Sequence, residues 1–189
     1  MSFFMGLQSL AFYTAIAWLP SILSRQGMST TAAGWTLFYY QLVGLVTGMV
    51  LPLVTRGRHD QRFAAASASA IVAVGFAILL FLPALAVVAC TLLGLGTGAC
   101  LVLALSFQSQ RSTGPSQTTA LAGMAQSIGY LVAAAGPLLL GVLHDTTDDW
   151  TAALLVLVAL SLVMAVAGYG AGRDRHVRTR RMTDHGGEE

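Results

Sequence analysis

Lysine and asparagine are absent from this 189-residue chain, only 10% of its residues are charged, and it has two cysteines. Each shortage excludes something. A soluble domain carries about 25% charged residues, so the chain lacks the material for a solvated surface. Without asparagine, the Asn-Pro-Ala half-helices of water channels cannot be built. Two cysteines cannot form a disulfide framework, and Cys90 and Cys100 are about 15 Å apart along one helix, too far to bridge. No histidine, aspartate or glutamate falls within the apolar stretches. That removes the base or nucleophile of an intramembrane protease and any metal ligand set, so neither an enzyme nor a cofactor is expected.

What is abundant is apolar: 56% of residues are hydrophobic and the mean hydropathy is +0.72. The charges are gathered at Arg25, Arg56 to Arg62, Arg111, Asp145 to Asp149, and from Arg173 onward. A membrane span needs about 20 apolar residues. Four of the uncharged stretches hold one span each. The stretch 63–110 holds two, with Leu82-Pro83 as the turn, because proline lacks the amide proton and disfavours helix before it. The expected fold is therefore all-α and integral to the membrane. Six transmembrane helices are expected at about 3–24, 31–54, 64–82, 85–107, 118–141 and 150–171. Together they form one domain over 1–172, followed by a basic, disordered tail over 173–189.

Arginine sets the orientation. Arg56, Arg58, Arg62, Arg111 and five tail arginines share one side with the termini, against Arg25 alone on the other. The positive-inside rule then puts both termini in the cytoplasm of a cell membrane, in a bacterium the inner one. Trp18, Trp35 and Trp150 fall near the opposite ends, where indoles favour the membrane boundary. Ala15-Ile16-Ala17 fits a signal-peptidase site, but no positive charge precedes it and the apolar run continues to Leu23, so the first span is read as retained. His59, His144, His176 and His185 fall in loops or the tail and are expected to be solvated. The basic tail suits anionic lipid headgroups rather than nucleic acid. Gly94-Leu-Gly-Thr-Gly98 shares only glycines with a phosphate loop and reads as a helix-packing surface.

The chemistry inside the spans is polar and uncharged. Gln8, Ser9 and Tyr13 lie in the first span, Ser106, Gln108 and Ser109 end the fourth, and Gln126, Ser127 and Tyr130 lie in the fifth. Gln41 shares a face with the small-xxx-small pair Gly44 and Gly48. Amides avoid lipid, so these groups must look inward. Each alone could simply bond a neighbouring helix; together they suggest an aqueous cavity lined by Gln8, Tyr13, Gln41 and Gln126. Gly136-Pro137 invites a bend in the fifth span.

The run Met5-Gly-Leu-Gln-Ser-Leu-Ala-Phe-Tyr13, with Ala17-Trp-Leu-Pro-Ser-Ile-Leu23 and Ala33-Gly34, resembles the seventh and eighth helices of major facilitator superfamily transporters. The most similar branch is the cyanate/nitroimidazole group. Gly123-Met-Ala-Gln-Ser-Ile-Gly-Tyr130, Gly136-Pro137, Gly141 and Asp145 to Trp150 resemble the eleventh helix and the loop after it. Arg56, Arg58, Asp60 and Arg62 resemble the basic inner loop between helices eight and nine. The resemblance covers the chain as the carboxyl-terminal half of a twelve-helix fold, made of two inverted three-helix repeats.

It implies alternating access for a small solute, a neutral or anionic nitrogen compound in that branch, with another six-helix half or a second copy as partner. A fragment is the favoured reading, because Met1 directly precedes a helix. The alternative is a non-transporting membrane protein. With no charged side chain in these spans, proton carriage or an anion-pairing arginine would come from the other half.

Overall fold

Three kinds of chain reversal decide where the helices of this protein end. The computed structural model describes residues 2–55, 61–110 and 115–171. Within them lie α1 (Ser2–Arg25), α2 (Thr30–Thr55), α3 (Arg62–Phe81), α4 (Ala86–Gln110), α5 (Pro115–Thr147) and α6 (Thr151–Ala171). Gly27 stops α1 in the left-handed region, φ 96°, while the Met28 N–H donates back to Leu23 O at 3.1 Å. Only glycine enters that region without cost, which makes it the usual helix-ending residue. The Ser29 hydroxyl oxygen then accepts from the Ala32 N–H at 3.3 Å and caps α2. Pro83 opens a single 3-10 turn, Pro83–Leu85, that separates α3 from α4. Asp148, φ 50°, ends α5, its N–H donating to His144 O at 2.7 Å.

Five of the helices are long and apolar enough to cross a membrane. The protein is a multi-pass membrane protein. Hydropathy suggests a fifth helix of 118–141, yet α5 runs over 33 residues. The extra turns carry Ser116, Gln117 and His144 to Thr147, polar residues that end a hydrophobic run without ending a helix. Residues 56–60, with Arg56, Arg58 and Asp60, and the tail from 172 lie outside the described residues.

The helices pair selectively. α1 lies along α5, α2 along α4, and α3 between α4 and α6. Lipid tails are as apolar as leucine, so close backbone approach rather than water exclusion holds such pairs. α4 is notched on two sides. A Cβ at Gly94 would sit 2.7 Å from Tyr40 O, and one at Gly98 would collide with the Gly44 carbonyl of α2. Gly96 faces the other way, where a Cβ would meet Val72 Cγ2 at 2.5 Å and Ala68 O at 2.9 Å on α3. Four residues bring a helix back to nearly the same face and two to nearly the opposite one. Tyr40 and Thr97 join hydroxyls across the same α2–α4 seam at 3.2 Å. Cys90 and Cys100 are free and buried in α4.

Candidate functional site

The α1–α5 seam is made by glycine in the same way. A Cβ at Gly136 would lie 2.7 Å from Leu10 Cγ and 2.8 Å from Thr14 Oγ1, and one at Gly141 would lie 2.8 Å from Trp18 Cζ2. Between those two glycines α5 runs on through Pro137, which has no N–H to donate and leaves one rung of the helical ladder unmade. The Trp18 indole N–H donates to the Pro137 carbonyl at 2.9 Å, tying α1 to α5 beside that missing rung.

Beside this seam opens a cleft of about 410 Å³, lined by Tyr13, Ile16 and Ala17 of α1 and by Tyr130, Ala133, Ala134 and Pro137 of α5. Its lining residues sit at i, i+3 and i+4 on α1 and at i, i+3, i+4 and i+7 on α5, one stripe per helix. Tyr13 and Tyr130 meet edge-to-face, ring centroids 6.3 Å apart at 74°, and Phe12 braces Tyr13 at 5.5 Å. Both tyrosines are nearly half exposed. Neither hydroxyl bonds any described residue. Among the described residues no charged side chain lines the cleft, which is apolar apart from the two tyrosine hydroxyls.

Of the four residues expected to line a cavity, Tyr13 lines this one. Gln8 is buried inside the bundle, only 1% exposed, where its Oε1 accepts from the Ser9 hydroxyl at 3.3 Å. Five residues turn a helix by about 140° relative to the starting face, so Gln8 and Tyr13 cannot share one. Gln41 lies on the exposed side of α2, away from the cleft. Gln126 is one turn before Tyr130 on α5, but its side chain lies outside the described residues. Gly44 takes the close approach of α4, whereas Gly48 makes only ordinary contact, 3.7 Å from Val102 Cγ2 to a built Cβ. Arg62 opens α3 and is half-buried. Ile16, Ala17, Ala133 and Ala134 carry no chemical signal of their own; their spacing from the two tyrosines was the available clue.

A second cluster occupies the end of the bundle where α1, α3 and α5 finish. Trp18 and Trp150 rings lie 5.2 Å apart, and His144 stacks on Trp150 at 3.9 Å, nearly parallel. His144, expected to be solvated, is half-buried, because the long α5 carries it up against Trp150, two residues past the reversal at Asp148. Arg25 Nη2 donates to the Asp148 carboxylate at 2.6 Å and to its carbonyl at 3.0 Å. A hydrogen bond from the Thr151 hydroxyl holds the neighbouring Asp149 carboxyl below its ordinary 3.8; backbone N–H groups and Arg25 add to it, and desolvation opposes it.

Sequence comparison places these features in context. No family model and no solved structure matches the chain. It is 42% identical to the 2-nitroimidazole transporter of Escherichia coli K12, over 93% of this chain and 44% of that protein. It is 39% identical to an uncharacterized transporter of Bacillus subtilis 168, YycB, over 92% of the chain and 44% of the relative. With the cyanate transport protein CynX of Escherichia coli K12 it shares 28% identity over 85% of the chain and 43% of the relative. The chain thus spans less than half the length of these curated relatives.

Proposed function

The chain belongs to the nitroimidazole/cyanate branch of major facilitator transporters, and from that premise we propose that it is one six-helix half of an alternating-access transporter for a small solute. The α1–α5 cleft is its share of the substrate path. That cleft carries the reading: uncharged polar groups and small residues gather along two packed helices, next to a Gly-Pro pair where one of them can bend. Tyr13 contributes to the path, and Gln126 extends the Tyr130 stripe by one turn.

The helix pairing supports a build from two inverted repeats, α1–α3 and α4–α6. Exchanging the two sets turns the α1–α5 pair into α4–α2, and leaves α3–α6 as itself; all three pairs are extensive. The mate is the other half of a longer protein or a second copy. Nine arginines on the side of the termini support cytoplasmic termini in a bacterial inner membrane.

Cysteine at Ala134 in the full-length transporter tests the path. Its labelling by a membrane-impermeant maleimide is expected from each side of the membrane in turn, and to slow when transported solute is present. Access from one side only, unaffected by solute, would mean a helix packed for structure alone.

A further inference from the structure

The names of the relatives include a ring, 2-nitroimidazole, and a linear anion, cyanate. The lining of the cleft bears on which of these shapes fits it. We propose that Tyr13 and Tyr130 form a slot selective for a flat, uncharged ring, with their hydroxyls reading hydrogen-bonding substituents at the ring edge. This rests on the cleft being the substrate path.

Three observations carry it. The two rings stand 74° apart at 6.3 Å, so together they present one face and one edge. Aromatic groups prefer the offset-stacked and edge-to-face arrangements that such a pair offers to a third ring, at 4.5–7 Å between centroids. The rest of the lining is apolar, Ile16, Ala17, Ala133, Ala134 and Pro137, and a cleft of about 410 Å³ is roomy for one substituted ring. A linear triatomic anion would leave most of that surface without partner atoms.

The hydroxyls are the second observation. At membrane depth an unbonded hydroxyl is costly, yet neither tyrosine has a partner among the described residues, while Tyr39 and Tyr40 on α2 bond Thr91 and Thr97 at 3.0 and 3.2 Å. The third observation is charge. No described lining residue compensates an anion, and a lining of this kind suits the neutral form of a solute.

The test is binding by the full-length transporter in nanodiscs, read by saturation transfer to probe protons. The probes are 2-nitroimidazole, a substituted flat ring, and imidazolidin-2-one, a five-membered ring of similar size that is not aromatic. Saturation of the 2-nitroimidazole protons should greatly exceed that of the saturated ring. Tyr13→Leu and Tyr130→Leu should each abolish it. Tyr13→Phe and Tyr130→Phe keep the rings and guard against misfolding. Each should weaken 2-nitroimidazole by about twofold to tenfold, the worth of one neutral hydrogen bond, while keeping the preference for the flat ring. Equal binding of the two probes by the parent, or binding unchanged in both leucine variants, overturns the slot. Alternating access at Ala134→Cys with no ring preference would leave the transport path standing and remove the slot alone.

Discussion

A single indole proton links the two helices that form the cleft. Trp18→Phe keeps the ring against Gly141 and Trp150 but removes the donor to the Pro137 carbonyl. Hydrogen bonds between membrane helices average about 0.6 kcal/mol and reach about 1.7, so a loss of that order is expected in thermal unfolding in detergent. Pro137→Ala should partly offset it by restoring a helical N–H. Asp148 offers a contrasting case. Its left-handed backbone suits asparagine as well as aspartate, and its pair with Arg25 is exposed on both sides. Asp148→Asn should therefore cost under about 1 kcal/mol, and Asp148→Val more, because a β-branched residue resists that conformation. At this scale the sequence was half legible. Tyr13 could be chosen because it is polar, uncharged and set part-way along its span. Gln8 looked equally suitable, but polarity alone says only that a group turns from lipid, and helical geometry turns it into the bundle instead of the cleft.

Among the elements, α4 is the most constrained. Gly98→Ala must push α2 away from the Gly44 backbone, and Gly96→Ala must push α3 from Ala68 and Val72. Overpacking of this kind costs about 1–3 kcal/mol, and should show as reduced monodisperse protein on size-exclusion chromatography after mild heating. Gly48→Ala, facing only Val102 at an ordinary distance, should behave as the parent; a loss equal to that of Gly98→Ala would sink this ranking.

At the start of α6, the depressed Asp149 carboxyl means that the folded state binds its proton less readily than the unfolded one. The stabilisation is present above the ordinary 3.8 and is lost as pH falls through the lower folded value. Thr151→Val should raise the Asp149 titration midpoint toward 3.8, measured by NMR. Helix positions were readable because charge clusters and Pro83 punctuate the chain. The length of α5 was not, since hydropathy registers where lipid ends, and a helix obeys hydrogen bonding beyond that depth.

At the scale of the molecule, the arginine imbalance predicts that alkaline phosphatase fused after residue 189 will be inactive in a bacterial host, with a fusion after Gly27 active. The reverse pattern would invert the orientation. The number of helices and the membrane setting follow from composition, which is a property of each segment alone. Which helix lies on which is not so written. The α1–α5 and α2–α4 pairs join residues more than fifty positions apart through single missing methyl groups, at Gly136, Gly141, Gly94 and Gly98. A glycine in the sequence does not name the backbone it will meet.

The burial of both native thiols has a practical consequence for spectroscopy. Cys90 and Cys100 are the chain's two cysteines, and each has no measurable surface, Cys100 lying against the Ser69 hydroxyl at 3.6 Å. Thiol reagents need an exposed thiolate. This half thus adds no reactive thiol of its own, and one cysteine engineered within it would be its single site for a spin label or fluorophore. Distances between labelled sites could then be followed through the working cycle without first replacing residues in the tightly fitted α4.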